Sequence, residues 1–322
     1  MQSPASVFGL SLVLCFSFFF MGPSAVGQGG EGNNTGITPN LRSLRNEARH
    51  EAASRDPQYV VVDLSVKKIL EYYPELKGLV PAQSQQELPS LLERVGANQK
   101  LFLNLPSICG DENVVQQEVD KRGWAVGPPA FTGHFNYLVR AHVTGEGVRF
   151  SEGRTDEHWR AIDPPVTSGY SLIQGFALLP MHFHPYHQEA AHFRYLGRHT
   201  LNNREYHVVA FAQQPDKAEL LGGVRVNGAD ITVAYQGVAW IDPDNFQIAR
   251  MRTDLLMAKP RVGMEMTETQ FTEVHVPVVA KSFWLPSEAV VTRRTKNGTL
   301  REKHQFSDYK IFVKQRSDTT LQ

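Results

Sequence analysis

One stretch, residues 231–256, constrains the fold more than any other part of the chain. It reads ITVAYQGVAWIDPDNFQIARMRTDLL, and Ile231, Val233 and Tyr235 alternate there with small or polar residues. A period of two places alternate side chains on opposite faces of a β-strand. Asp, Pro and Asn at 242–245 favour a turn, and the alternation resumes after it. The stretch therefore predicts a β-hairpin, which we expect at the centre of a large antiparallel sheet.

The chain from residue 125 to 316 continues this pattern of strands and tight turns. Asn202-Asn203 and Asn297-Gly298 separate alternating segments and suit two-residue hairpin turns. No helical crossover is long enough for a parallel sheet, and so many antiparallel strands have to twist and curl. We predict an α+β fold, in which N-terminal helices cover a large curved antiparallel β-meander that forms an open half-barrel.

Helical periodicity is confined to residues 59–124, which we predict to be a helical segment that packs with the half-barrel as one domain. Apolar residues spaced by three and four predict two helices, and residues 112–122 are a third candidate. Cys109 is expected at the end of a helical segment. The two apolar stripes are Val66, Ile69, Leu70 and Tyr73, and then Leu88, Leu91, Leu92 and Val95.

The N-terminus predicts export. An apolar run over residues 7–21 precedes small residues up to Gly27, which is typical of a secretory signal cut near that glycine. The run is shorter than the ~20 apolar residues that span a bilayer. We therefore predict a signal peptide at 1–27, a disordered linker at 28–58, a tail at 317–322 and a periplasmic or secreted protein.

Charge and cysteine content exclude some classes of function. Lys plus Arg and Asp plus Glu both number 33, so no net charge attracts the chain to nucleic acid. Removal of the signal leaves Cys109 as the one cysteine, so the exported chain can form no internal disulfide. No base beside it supports a nucleophilic role, and a small, half-buried side chain explains it better.

A His-rich stretch at residues 181–192 is the one candidate for chemistry. His182, His184 and His187 are residue types that a zinc or other transition-metal site uses, and Glu189 and His192 lie beside them. The spacing fits no established zinc signature. Two interpretations stay open, a metal site formed by the three histidines or a polar loop that is merely His-rich. No phosphate loop, Cys-x-x-Cys pair or nucleophile elbow occurs, so we predict no catalytic residues and no cofactor.

Several motifs carry a resemblance. They resemble a family of uncharacterised exported proteins from acidobacteria, and they are FRYLGR at 193–198, QGVAWID at 236–242, RMRTDLL at 250–256, WLP at 284–286 and FSDY at 306–309. More distantly, the Gly-x-x-Trp-Ile-Asp, turn, Phe-x-Ile-x-Arg pattern is similar to the outer-membrane lipoprotein-sorting and carrier (LolA-like) superfamily. That resemblance implies a half-open β-barrel around helices and the handling of hydrophobic ligands or acyl chains in the cell envelope.

These observations favour a non-enzymatic binding or carrier protein for an apolar or acyl-chain-bearing ligand, held between the sheet and the covering helices. Its partner would be a lipid or a lipoprotein acyl chain, and the residues that bind it are not predicted. Two alternatives stay open, an envelope protein–protein interaction module and a metal-dependent enzyme that uses the histidines of 182–192. A core filled with side chains is the structural alternative to an open hollow.

Overall fold

The computed structural model describes residues 60–102, 104, 106–120, 122–144, 147–161, 175–218, 222–226, 229–257, 264–275, 282–295 and 298–311. The predicted signal peptide, linker and tail lie outside these residues. Within them, no helix combines the length and the apolar character needed to cross a membrane.

Nearly all of the sheet is one antiparallel array. Eleven strands pair in the order β1-β5-β6-β9-β10-β11-β12-β13-β2-β3-β4, and β7 pairs with β8 in a separate two-stranded sheet. The predicted α+β class, with a large open antiparallel sheet and few helices, is confirmed. The strands in chain order are β1 (Val80–Pro81), β2 (Ile108–Val119), β3 (Phe131–Thr144), β4 (Gly147–Thr155), β5 (Ala191–Leu201), β6 (Arg204–Gln213), β7 (Gly222–Val226), β8 (Ala229–Val233), β9 (Tyr235–Ile241), β10 (Ile248–Leu255), β11 (Met264–His275), β12 (Ser282–Thr295) and β13 (Gly298–Ile311).

The helical elements are short and few. They are α1 (Val66–Tyr72), α2 (Leu88–Phe102), the single turn α3 (Pro185–Gln188), and three 3₁₀ segments, Val61–Asp63, Pro74–Leu76 and Phe176–Phe183. The two helices predicted from apolar stripes are α1 and α2, and both predictions are confirmed. The third 3₁₀ segment lies between β4 and β5 in the chain.

The contacts of this third segment show that the sheet is curled. Ala177 at one end donates its N–H to Glu152 of β4, and the Phe183 ring at the other end lies 5.2 Å from the ring of Phe193 on β5. Strands β4 and β5 are nine spacings apart in the sheet, roughly 43 Å if it were flat. Eight residues of 3₁₀ helix span only about 16 Å. The sheet therefore curls around the segment, which lies on its concave face.

One predicted helix is wrong. Residues 112–122 fall largely in strand β2, where Glu112, Val114 and Gln116 are buried while Asn113 and Val115 are exposed. This strand pairs with β3 on one side and with β13, the last described strand, on the other. Two neighbouring strands supply the partners for its backbone hydrogen bonds, which in a helix would have to come from within the segment. Cys109 accordingly lies in β2, and its side chain is buried.

The turn predictions hold where the structure describes them. Asn202 and Asn203 have positive φ of 51° and 64° between β5 and β6, as a two-residue hairpin turn requires. In the central hairpin, Asp242 Oδ1 accepts hydrogen bonds from the N–H groups of Asp244 and Asn245 at 3.0 and 3.3 Å. The hairpin strands are the fourth and fifth of eleven, inside the sheet as predicted.

The predicted strand from Ile231 to Trp240 is interrupted. Strand β8 ends at Val233 and belongs to the small sheet, whereas β9 begins at Tyr235 and belongs to the large one. At the break, the Gln213 side-chain oxygen accepts the N–H of Tyr235 at 2.7 Å. A long-range side-chain contact therefore divides a stretch that alternates continuously in sequence.

Strands β6 and β9 are covered on both faces. Val208 and Trp240 belong to a cluster with α1 and its flanking 3₁₀ segments. Val209 and Ile241, one position along each strand, belong to a cluster with α2. Because neighbouring residues in a strand point to opposite faces, α1 covers the outer face and α2 the concave face. Of the two predicted helices, only α2 contributes to filling the hollow.

Candidate functional site

The hollow of the curled sheet contains one apolar stretch of chain. We call the 3₁₀ segment Phe176–Phe183 the plug; seven of its eight residues are buried. Its Phe176 ring lies 5.9 Å from the ring of Phe306, and its Phe183 ring lies 5.7 Å from the ring of Phe211. The plug thus joins the two apolar clusters of the concave face.

The part of the hollow that the structure describes is filled rather than open. A cleft beside the plug, lined among others by Phe102, Pro180, Phe283 and Trp284, has a volume of about 30 Å³. That volume holds a few water molecules and no acyl chain. Of the two alternatives for the core, the described residues therefore show the one filled with side chains, and a ligand could enter only if the plug moved.

Polar side chains hold both ends of the plug. The buried Glu152 carboxylate accepts the N–H groups of Gly175 at 2.9 Å and Ala177 at 3.0 Å, and it also accepts the hydroxyl of Tyr137. Burial raises the pKa of Glu152 above its ordinary value, although these hydrogen bonds act in the opposite direction. At the other end, the Gln188 amide donates to the carbonyl of Phe183 at 2.8 Å. Between these anchors, the contacts described above are made by apolar side chains.

A buried charged network lies on the same face, beside the Phe176 end of the plug. Arg154 donates two hydrogen bonds to Glu112, from Nε to Oε2 at 2.5 Å and from Nη2 to Oε1 at 2.6 Å. His304 Nδ1 lies 2.8 Å from Glu112 Oε1, and its ring packs 4.8 Å from the ring of Phe176. The network is therefore in direct contact with the plug.

Glu302 extends this network. Gln116 donates to its Oε1 at 3.0 Å, and Arg293 Nη1 lies 3.4 Å from the same oxygen. His304 Nε2 lies 3.4 Å from Glu302 Oε2, so the imidazole stands between two carboxylates. None of these side chains is exposed to a meaningful extent.

The charges of the network oppose the effect of burial. Burial alone would raise the pKa of Glu112, but Arg154 and His304 bring it down to about 2. Burial alone would lower the pKa of His304, but its hydrogen bond with Glu112 and the nearby carboxylate of Glu302 raise it above the ordinary value. The network therefore favours the ionised forms, including a positively charged imidazole between the two carboxylates.

This network was not predicted from the sequence. In a strand over residues 299–306, every second side chain points to the same face. The polar residues Glu302 and His304 on one of these faces suggest that it is solvated. A signal was nevertheless present, because Leu300 and Phe306 share that face by the period of two and are apolar. All four side chains are in fact buried. Polar residues bracketed by apolar ones on one face were the indication that the face turns inward.

The His-rich stretch is buried rather than a polar loop. His182, at the end of the plug, stacks 5.4 Å from the ring of Phe211 and lies 3.4 Å from the Gln213 amide nitrogen. His184 Nδ1 accepts the N–H of Tyr186 and caps α3, and its ring centroid is 6.0 Å from that of His187. Burial lowers the pKa of His182 to about 3 and that of His187 to about 4.

The metal hypothesis for these histidines stays a prediction. Neutral imidazoles are the form that binds metals. Among the described residues, however, no group of three or more His, Cys, Asp and Glu side chains is placed to hold a metal ion. Glu189 and His192 are exposed at the surface, away from the buried ring of His182.

The chain is distantly similar in structure to several solved proteins. No family model matches the chain, and no curated protein matches its sequence. A DUF1329 family protein from Desulfovibrio piger is similar in structure, with a TM-score of 0.38 and 8% identity over 73% of this chain and 94% of its own. A LolA superfamily protein from Nitrosomonas europaea has a TM-score of 0.34 and 11% identity over 73% of this chain and 95% of its own. The second belongs to the superfamily that the central hairpin resembles. At such TM-scores the likenesses carry no functional argument.

Proposed function

We propose that the protein is an exported, non-enzymatic binding or carrier protein of the cell envelope, whose ligand is apolar or bears an acyl chain. The ligand chain takes the place of the plug on the concave face of the sheet. The plug itself is the observation that carries this proposal. The plug is an apolar segment of this same chain, and it fills the hollow between the curled sheet and α2.

The plug is suited to exchange because of how it is attached. A strand in this position would be bound by a ladder of backbone hydrogen bonds, whereas the plug is held by a few side-chain contacts. They are those of Glu152 at one end and those of Gln188 and Gln213 at the other, where Gln188 also donates to the carbonyl of Leu92 in α2. Its apolar side chains make the same kind of contact that an acyl chain makes. Each methylene of such a chain would regain about 0.8 kcal/mol on burial. A ligand that favours the displaced state therefore shifts the equilibrium towards it.

A fluorescent fatty acid, 11-(dansylamino)undecanoic acid, tests the proposal. We expect the wild-type protein to bind it and Glu152→Gln to bind it more tightly, because the uncharged side chain holds the plug less firmly and raises the population of the open state. Glu273→Gln, a change of the same kind at an exposed site on β11, is the matched control and should bind as the wild type does. Fluorescence titration gives the three dissociation constants.

Native mass spectrometry of protein purified from the cell envelope is the second test of the proposed function. Co-purified lipid would support the proposal directly. If no lipid co-purifies and neither the wild type nor Glu152→Gln binds the probe while both are folded by circular dichroism, the hollow is a permanent core. The protein–protein interaction module would then be the function to test, by pull-down from envelope extracts.

A further inference from the structure

Several buried polar atoms on the concave face lack a hydrogen-bond partner. In the part of the chain that the structure describes, these atoms include Gln116 Oε1, Thr253 Oγ1, Thr269 Oγ1 and Glu302 Oε2. The last lies 3.4 Å from His304 Nε2, without the geometry of a hydrogen bond. Buried polar groups in proteins nearly always have a partner, so a cluster without partners among the described residues marks a place where water molecules or the polar groups of a ligand can bind.

Strand register places these atoms in one band. Thr253 is opposite Thr267, which is opposite Val291, and Val291 is opposite Glu302, which is opposite Gln116. Residues directly opposite each other share a face, so this row crosses five adjacent strands, β10 to β13 and β2. Thr269 lies in the next row, separated from His304 by Ala289 alone. We call Gln116, Thr253, Thr267, Thr269 and Glu302 the polar strip.

The charges around the strip balance. Three buried carboxylates and three buried cationic side chains lie in the strip, in the adjoining network and at the Phe176 end of the plug, so their formal charges cancel and no excess charge selects an ionic ligand. The unmet capacity among the described residues includes acceptor oxygens on Gln116 and Glu302, the Nε2 atom of His304 and two threonine hydroxyls, so both donors and acceptors are present. Alcohol groups, which donate and accept at the same oxygen, match this set. The six charged residues are Glu112, Glu152, Glu302, Arg154, Arg293 and His304.

We infer that the polar strip binds the neutral polyhydroxyl head group, a sugar or another polyol, of the same ligand whose chain replaces the plug. This inference rests on the proposed function. The strip and the plug meet, because Phe176 packs on His304 and the neighbouring Glu302 belongs to the strip. A chain that occupies the site of the plug therefore brings its head group to the strip at the Phe176 end.

Two uncharged detergents with the same chain length test the inference. Decyl glucoside carries hydroxyl groups, whereas dimethyldecylphosphine oxide carries only an acceptor oxygen. In displacement of 11-(dansylamino)undecanoic acid, we expect the wild-type protein to bind decyl glucoside roughly tenfold more tightly or better, as two or more added hydrogen bonds would produce.

The double variant Thr253→Val with Thr269→Val locates the effect. Both substitutions keep the side-chain shape and remove hydroxyls that have no partner in the described structure, so the fold should be retained. We expect the variant to lose the preference for decyl glucoside, so that its affinities for the two detergents become nearly equal. Thr200→Val, at an exposed position on β5, is the control and should keep the preference.

The results of these titrations distinguish the head-group site from the apolar-ligand function on which it rests. Equal affinity of the wild type for the two detergents, or a preference that survives the double variant, overturns the head-group site and leaves the partnerless atoms to buried water. The apolar-ligand function stands in both cases, because the fatty acid probe binds. Failure of the wild type and of Glu152→Gln to bind that probe overturns the function and the head-group site together.

Discussion

The two ends of the plug place histidine in opposite surroundings. His182 and His304 are both buried on the concave face, and each packs against phenylalanine. Burial lowers the pKa of His182 to about 3, whereas two carboxylates raise the pKa of His304 above its ordinary value. Burial penalises the charged form in both cases, and the neighbouring groups decide which form wins. One half of the hollow therefore favours a neutral imidazole among apolar side chains, and the other favours a charged imidazole between carboxylates.

The largest effect is expected when the charged half loses a carboxylate. Glu112→Gln leaves the buried guanidinium of Arg154 and the imidazole of His304 without their shared counter-charge. Removing one partner of a buried ion pair costs about 3–5 kcal/mol, and we expect a loss of that size in the free energy of unfolding. Urea denaturation measures it. Glu118→Gln, at an exposed position on the same strand, should change little, and an equally small effect at Glu112 would contradict a dry network.

The apolar half should lose stability in acid. The pKa of His182 is lower in the folded protein, so the unfolded chain takes up the proton first as the pH falls below 6.5. This contribution to stability is present above pH 6.5 and is lost as the pH falls towards 3. Between pH 6.5 and 5 the loss should be roughly 2 kcal/mol.

Single substitutions test whether His182 causes this loss of stability in acid. His182→Leu should flatten the decline in unfolding free energy between pH 6.5 and 5, although His187, whose pKa is also lowered, retains part of it. His192→Leu, at an exposed position, should leave the decline unchanged. A decline that persists in full in His182→Leu would show that His182 is not the desolvated group.

The contribution of the charged half to stability should depend on pH in the opposite direction, and the change should be smaller. Because the pKa of His304 is raised in the folded protein, its contribution to stability is complete below pH 6.5 and is lost as the pH rises through the folded pKa. Ring nitrogen shifts in NMR should show His304 protonated and His182 neutral at pH 6, below the ordinary pKa of histidine. Two neutral rings at that pH would erase the distinction between the halves.

The smallest effect is expected from metals. The Nδ1 atom of His184 caps α3, and His182 Nδ1 faces the amide of Gln213. The buried ring nitrogens of His182, His184 and His187 that lack a partner among the described residues are Nε2 of His184 and Nε2 of His187, fewer than the three or four protein ligands that a zinc site uses. We expect neither zinc nor a chelator to shift the unfolding midpoint. One bound equivalent by elemental analysis, abolished in His182→Ala with His184→Ala, would instead establish the metal site and favour the metal-dependent enzyme.

Local signals explain which parts of the fold were predictable. The Asn202-Asn203 turn, the central hairpin and the stripes of α1 and α2 all depend on residues close in sequence. Strand β2 was mistaken for a helix because its second partner, β13, is nearly 200 residues away. The break at Ala234 depends likewise on Gln213, which contacts Tyr235 across the sheet. Pairing over such distances leaves no periodic trace in the segment itself.

Alternation and turn chemistry are properties of neighbouring residues, so they specify the α+β class, the antiparallel strands and their turns without reference to the rest of the chain. The filling of the concave face by the plug and the charged network on that face depend instead on tertiary contacts. Glu112, Arg154 and His304 come from three strands that are distant in sequence, and each looks like an ordinary polar residue there. Curling of the sheet brings them together and removes them from water, and that removal turns ordinary polar residues into a candidate site.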